Sequence, residues 1–515
     1  MNHRQPEVFI SRKGLTPATE SLYRQFQQER LIFDCEDPEA LGLLRADAER
    51  IAAGMDDPEC APPMLWSGVP WPGDDRPLRS DYCLSISVGG SKTVALLLRI
   101  EGEEVVALGP GGEEVCGSKL EELAKSCSFA TPTAKNTPDG YSMIAKIAEG
   151  VCDQLGDNRA ALGRCANIVL SWAFASSIER TREDLLGGLA ARTTLMTKKQ
   201  GPFTEDLRGK DLCALFAQAF EEVLGHRWPV TVVNDGVMAL HYLLGPRWRN
   251  KYARIGLFIN GTGCNFALAE PYAVRPEGIV SAERESYEPR HLLAGEGPAA
   301  GERVVNYIVN YEIGSIDLVA TRSRFDISQS YPIQTNALSG GNAFGQQFGG
   351  LGREFLGEEF FHRLLAGYRE SGSGGELPGG PQISTLATVL PDEASSRLAE
   401  FFPGVEMDGE ETDSLVFLCR AIVDRSALHA ALLLSAVSFR TGFGFGQEES
   451  GLGDLLGMEG SIWSIEGYPQ QVLGYWEGIC GERKLNVELA HEPGFNASLQ
   501  GPAFLAAIHA QAEPS

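Results

Sequence analysis

Apolar positions along the chain fall into two kinds of run, and the central pair sets the frame. Residues 230–233 (Val-Thr-Val-Val) are almost wholly β-branched and stop on Asn234, Asp235 and Gly236. This is the pattern of a buried strand that ends at a sheet's carboxyl edge. Residues 237–244 then carry helical spacing. A second strand, Ile255-Gly-Leu-Phe-Ile-Asn, breaks at Gly261-Thr262-Gly263 and resumes as a third through Glu270. Upstream, residues 82–98 read as strand, Gly89-Gly90 turn and strand, with 105–108 continuing the sheet. Between these blocks lie a helix at 140–163, a strand at 167–174, an irregular polar segment at 181–210 and a helix at 209–224. After Glu270 the pattern predicts a loop holding Glu283, a long helix over about 301–311 and a Gly/Ser/Pro-rich surface loop at 371–380. An apolar helix at 413–440, a helix near 470–478 and an apolar C-terminal segment at 497–508 follow. At the other end, Leu22, Phe26, Ile32 and Phe33, then Leu41, Leu44, Ala48 and Ile51, are spaced as helices that pack on a domain. Residues 60–78 read as a Pro-, Gly- and Trp-rich loop. Two strand–glycine-turn–strand hairpins, each heading a β/α segment, predict two similar halves around a cleft.

Composition narrows this. A chain of 515 residues predicts two to four domains. Its formal charge of −25 argues against nucleic acid or an anionic membrane as partner. Eleven scattered cysteines with no C-x-x-C pair indicate neither a disulfide framework nor a zinc site. A polar N-terminus and the lack of any run of ~20 apolar residues predict a soluble, cytoplasmic protein with no membrane partner.

The chemistry lies where the strands end. Asp235 offers a carboxylate at one strand end, and Gly261-Thr262-Gly263 offers a turn whose backbone N–H groups can close on a phosphate. Together they suggest a phosphotransfer site. Separately, each has an ordinary alternative: an Asp after a strand is commonly a helix N-cap, and such glycine triplets are common in hairpins. Gly89, Gly90, Ser91 and Lys92 form a second candidate phosphate loop.

Six segments in order resemble the hexokinase family, within the sugar-kinase, Hsp70 and actin superfamily, over about residues 45–510. Residues 84–98 resemble its first phosphate loop and Asn234-Asp235-Gly236 its N-D-[TG]-V segment. Residues 261–270 resemble the second phosphate loop, G-T-G-x-N-…-E, and 197–211 the T-K-G-F-…-G-x-D-V segment. Residues 425–435 and 460–508 follow the order of its ATP-side elements. The resemblance implies an α/β fold of two actin-like (ribonuclease H-like) domains, with mixed five-stranded sheets around a central cleft. It implies an N-terminal helical extension at 1–78, a small domain at 79–234 closed by a C-terminal helix at about 499–510, and a large domain at 235–498. It also implies ATP-dependent phosphorylation of a hexose 6-hydroxyl, with glucose as the expected sugar and ATP and Mg²⁺ as cofactors. Asp235 matches the base that takes the hydroxyl proton. Asn234, Asn265, Glu283, Thr197 and Lys198 match sugar contacts, with Lys199 and Gln200 shifting the register of the last pair. Gly89, Gly90, Ser91, Lys92, Gly261, Thr262, Gly263, Ser498 and Gly501 match the nucleotide and phosphate side. Glu270 completes its motif in a structural role, and His241 and His291 are assigned none.

Several positions depart from the family. Ser87 stands where a carboxylate normally orders a water on Mg²⁺, so no protein group is expected to bind the metal directly. Val94 replaces an arginine, Ala173 and Ala175 flank Phe174 where Ser-Phe-Pro is usual, and Arg290 stands where a sugar carboxylate is expected. Ser176 is a possible substitute for the missing hydroxyl. The alternatives to a glucose kinase are therefore a catalytically weak hexose sensor of the same fold and a kinase for another sugar.

Overall fold

The structure is a computed structural model. It describes residues 10, 15–34, 36–55, 65–66, 82–89, 92–102, 104–109, 111–133, 136–156, 162–163, 165–172, 176–180, 191–196, 205–207, 210–245, 247–248, 251–261, 263–274, 290–291, 299, 303–311, 313, 316, 318–326, 341–372, 376–390, 393–446, 451–491 and 497–512.

Buried runs rich in Val, Leu and Ile build the first sheet. Its core strands are β2 (Tyr82–Val88), β3 (Lys92–Glu101), β4 (Glu104–Leu108), β7 (Cys165–Trp172) and β10 (Val230–Asn234), with β5 (Glu114–Cys116) and β6 (Ser128–Ala130) at the edges. The order is β10-β7-β2-β3-β4-β5, with β6 on β3. Strands β2, β3 and β4 are antiparallel neighbours, whereas β7 and β10 run parallel to β2. The second sheet repeats this plan with β11 (Ile255–Asn260), β12 (Cys264–Val274), β14 (Arg303–Asn310), β15 (Asp454–Glu459) and β16 (Val487–Ala490). Its order is β14-β12-β11-β15-β16, extended by β1 (Leu65–Trp66) beyond β14 and by β13 (Arg290–His291) on β12. Here too the first three strands are antiparallel and the last two parallel. Five strands in one shared order make the two halves alike. A separate hairpin joins β8 (Ser176–Arg180) to β9 (Ala191–Met196).

Helices α1 (Pro17–Gln28) and α2 (Pro38–Gly54) pack on the second half. Short α3 (Lys119–Ser126) borders the first sheet. The outer face of the first sheet is covered by α4 (Gly140–Leu155) and α5 (Leu212–Leu224), which enclose a core of Leu84, Ile86, Ile147, Leu170, Phe216 and Val232. Helix α6 (Asp235–Leu243) follows β10 without a linking residue. Helices α7 (Gly341–Phe355), α8 (Glu358–Glu370), α9 (Gly380–Thr388) and α10 (Ala394–Phe401) surround α11 (Gly409–Thr441). Helix α11 is long and apolar enough to cross a membrane, but 94% of its most apolar window is buried inside the protein. An apolar surface on every side marks a helix at the centre of a core. Helices α12 (Tyr468–Cys480) and α13 (Ala497–Ala512) complete the chain.

The two halves exchange helices. Helix α6, which continues from the first sheet, packs on β11, β12 and β14 of the second, while α13 packs on β2, β3 and β7 of the first. The two helices lie against each other. Val237, Leu240, Phe504 and Leu505 share one core with Leu98 and Val169 of the first sheet and Leu257 and Ala267 of the second. Gly501 makes this approach possible, because a Cβ there would sit 1.9 Å from the Met238 carbonyl oxygen.

Four elements correct the sequence reading. Residues 303–310 form β14, not part of a helix: the segment is rich in strand-favouring residue types, and its backbone pairs with β12 through eight register positions, Val274↔Arg303 to Ala267↔Asn310. Within the polar segment at 181–210, residues 191–196 form β9, paired with β8 just upstream of that segment. Within the loop at 60–78, Leu65 and Trp66 pair with Asn310 and Val309. The helix at 140–163 ends earlier, at Leu155 before Gly156, which has φ +48°.

Candidate functional site

Register brings three strand ends of the first sheet to one edge. Val88 pairs with Trp172, and Trp172 with Asn234. Two strand spacings of ~4.8 Å each therefore separate the first glycine turn from Asn234, a gap on the order of 10 Å. Asn234 is buried and N-caps α6, its Oδ1 accepting from the Gly236 N–H at 2.8 Å. The half-buried Asp235 accepts from the same N–H at 2.8 Å through its own Oδ1. A carboxylate in the first turn of a helix is favoured by the helix dipole. Asp235 is thus both a first-turn residue, as the ordinary reading holds, and a rigidly placed carboxylate.

The second sheet meets this point through Asn265. Its Oδ1 accepts from the Phe266 N–H at 2.9 Å, and its Nδ2 donates to Asn234 Oδ1 at 3.4 Å. Asn265 pairs with Ile259 across the hairpin, where Gly261 N–H donates to the Gly263 carbonyl at 2.9 Å. The second glycine turn is therefore adjacent to the asparagine pair.

The first turn is held from below. Gly89 N–H donates to the Lys92 carbonyl at 2.9 Å, and the Thr131 hydroxyl donates to the Gly89 carbonyl at 2.8 Å. Lys92 is exposed. Ser87 pairs with Val94 on one side and Ser171 on the other. Val94 packs against the core that contains α6 and α13, so this face of β2 and β3 looks toward the exchanged helices.

Ser498 and Gly501 lie in α13. The Ser498 N–H donates to both carboxylate oxygens of Glu459, at 3.2 and 3.1 Å. Gly501 sits in the close contact between α13 and α6, where a Cβ would fall 1.9 Å from the Met238 carbonyl oxygen. His241 is buried with Nδ1 2.7 Å from the Val237 carbonyl, a satisfied core histidine. Gly90, Ser91, Ala173, Ala175, Thr197, Lys198, Lys199, Gln200, Thr262 and Glu283 lie outside the described residues, as do the side chains of Ser176, Glu270, Arg290 and His291.

Two further polar residues at this edge escaped the sequence reading. Glu459 ends β15 in register with Ile259. Its signal was available, since Met458-Glu459-Gly460 repeats the strand–acid–glycine pattern of Asn234-Asp235-Gly236. Asn260, fully buried before the second turn, donates to Tyr468 Oη at 2.9 Å, which pairs with Ser426 Oγ at 2.9 Å. This polar chain anchors the turn to α11 and α12.

The two halves share one mixed-sheet strand order, and a carboxylate stands at the strand edges where they meet. Among solved structures, a hexokinase from Schistosoma mansoni complexed with glucose is similar at a TM-score of 0.63 and 14% identity, covering 96% of this chain and 100% of that one. A second hexokinase crystal structure is similar at a TM-score of 0.63 and 19% identity, covering 95% of this chain and 99% of that one. At these identities the likeness is one of fold, and the chain has the hexokinase fold. No protein-family model matches the sequence, and no curated protein matches it either.

Proposed function

We propose that this protein is a sugar kinase that transfers the γ-phosphate of ATP to the 6-hydroxyl of a hexose, with glucose the first sugar to test. The observation that carries the reading is the meeting of Asp235, Asn234 and Asn265 at the strand edges beside the glycine turns. In this reading Asp235 accepts the hydroxyl proton as the oxygen attacks phosphorus. Asn234 and Asn265 present amide groups to the ring hydroxyls, joined by Thr197, Lys198 and Glu283. Backbone N–H groups of Thr262 and Gly263, and of Gly90 and Ser91, offset the charge on the transferring phosphoryl group, and Lys92 adds a cation. We assign residues 79–234 with the C-terminal helix to a small domain, 235–498 to a large one, and 1–78 to an extension.

Mg²⁺ fits as an ion carried by the nucleotide. Among the described residues, no three His, Cys, Asp or Glu side chains gather as a metal cage. The Ser87 hydroxyl suits a water of the ion's hydration shell better than the ion itself. When bound, the ion neutralises charge on the β- and γ-phosphates.

The experiment is direct: full-length protein, Mg-ATP and a panel of hexoses, with ADP release as readout. ADP release with no hexose would overturn the reading. A second reading, a hexose sensor, is favoured by Ser87 in place of a carboxylate; glucose binding without ADP release would select it. Release with an amino sugar or ketose in preference to glucose would select a kinase for another sugar.

A further inference from the structure

A second carboxylate enters the site from the second sheet, and the reading above gives it no task. Glu459 ends β15, and the next residue lies against the second glycine turn. Gly460 has φ +110°, and a Cβ on it would fall 2.3 Å from the Asn260 carbonyl oxygen and 3.0 Å from the Gly261 nitrogen. No other residue type could bring the backbone so near. From this position Glu459 reaches the Ser498 N–H in the first turn of α13 with both oxygens. One side chain thus links the phosphate turn of the second half to the helix that covers the first.

We infer that Glu459 is a positioning residue that answers to phosphate. Ionised, it clamps Ser498 and holds the first turn of α13 against β15. Protonated, it removes a negative charge from beside the second glycine turn and lets a nucleoside triphosphate seat there. The inference rests on the phosphotransfer reading. Although Glu459 keeps some exposed surface, its carboxylate stands deep among protein atoms. Desolvation is the main cause that pushes it up to about 7; the bonds from Ser498 pull it down, and the charge of Asp235 pushes it up further. It is therefore balanced near neutrality before any phosphate arrives. Asp235 faces it from α6, the Ser498 N–H from α13 and the neutral Asn260 lies beside it on β11. From the side of β16, His491 stands 3.3 Å from the carbonyl of the preceding residue, Met458. A polyphosphate adds negative charge at short range in a poorly solvated site, which must raise the proton affinity of Glu459. By linkage, nucleotide binding must then draw a proton from solvent onto Glu459, and binding must weaken as pH rises.

The test titrates Mg-ATP into the full-length protein by calorimetry, in two buffers of different ionisation enthalpy, between about pH 6.5 and 8.5. Wild type should take up a substantial fraction of a proton and lose affinity at least about threefold across that range. Glu459→Gln should lose the uptake and flatten the pH dependence, and protonation of ATP itself is common to both proteins. Ser498→Pro keeps Glu459 but deletes the N–H that favours its ionised form, a change tolerated in a first helical turn. It should move the wild-type pH dependence to higher pH, and it serves as the test should Glu459→Gln fail to fold. Equal proton uptake in wild type and Glu459→Gln, or an unmoved profile in folded Ser498→Pro, overturns the inference alone. Folded wild type that binds no ATP at any pH overturns both this and the phosphotransfer reading.

Discussion

Asn265 at the start of β12 donates to Asn234 at the end of β10 across 3.4 Å, tying the two sheets together one residue before the proposed base. The bond is long, and Asn234 Oδ1 also accepts from Gly236 N–H at 2.8 Å, so the helix cap survives without it. Asn265→Ala should therefore leave the thermal midpoint nearly unchanged while raising KM for the sugar roughly tenfold, the cost of about one hydrogen bond. A variant that loses stability but keeps its KM would mark Asn265 as structural.

Asp235→Ala removes the proton acceptor and keeps the Asn234 cap. Its kcat should fall by at least ~10²–10⁴, the range for a positioned acid–base group. Hexose affinity, measured by calorimetry, should fall much less. Near-normal turnover would rule out the assignment.

Ser87→Asp restores a charge on the face of β2 that looks toward the exchanged helices. It should lower the Mg²⁺ concentration needed for half-maximal rate, because a carboxylate anchors the ion's water shell better than a hydroxyl. Lys92→Ala should weaken ATP more than sugar. Both are read from initial rates over a Mg²⁺ and ATP grid, and an unchanged or worsened Mg²⁺ requirement in Ser87→Asp would show that this strand does not face the metal.

Asp424, buried in α11, accepts from Gln471 Nε2 at 3.0 Å and Tyr475 Oη at 2.8 Å, and desolvation still pushes it from 3.8 up to about 7. The folded protein thus holds a proton that the unfolded chain releases. That contribution to stability is fully present below the ordinary carboxylate range and is lost as pH rises toward about 7. Asp424→Asn should be at least as stable as wild type at pH ~8 and lose that advantage by pH ~4. The amide can donate to Gln471 Oε1, which lacks a hydrogen-bond partner. Thermal midpoints across this range check the sign.

Gly501→Ala places a methyl group 1.9 Å from the Met238 carbonyl oxygen, where backbone cannot yield. Overpacking of this kind costs about 1–3 kcal/mol or more, and here it also shifts two helices that begin in the site. Denaturant titration should show the loss, and kcat should fall with it. An alanine variant as stable as wild type would mean that the helices part at no cost.

Much of the fold was legible because strand ends carry their own punctuation: Val233-Asn234-Asp235-Gly236 and Asn260-Gly261 lie where the pattern placed them. Residues 303–310 did not, because Val304, Val305, Ile308 and Val309 satisfy helical spacing as well as a strand's, and only the long pairing with β12 decides between them. Asp235 and Asn265 could be picked out by their motifs, whereas Glu459 needed the register of β15 on β11 to show that it reaches the same edge. The packing of Gly501 was hidden for a related reason. A glycine near a phosphate motif suggests backbone contact with ligand, and nothing local says that its neighbour is another helix.

The exchanged helices also impose an order on the protein's synthesis. Strands β2, β3 and β7 leave the ribosome early, yet the helix that covers one of their faces is α13, the last element of the described chain. A nascent chain halted anywhere before residue 497 carries a first sheet with that face bare.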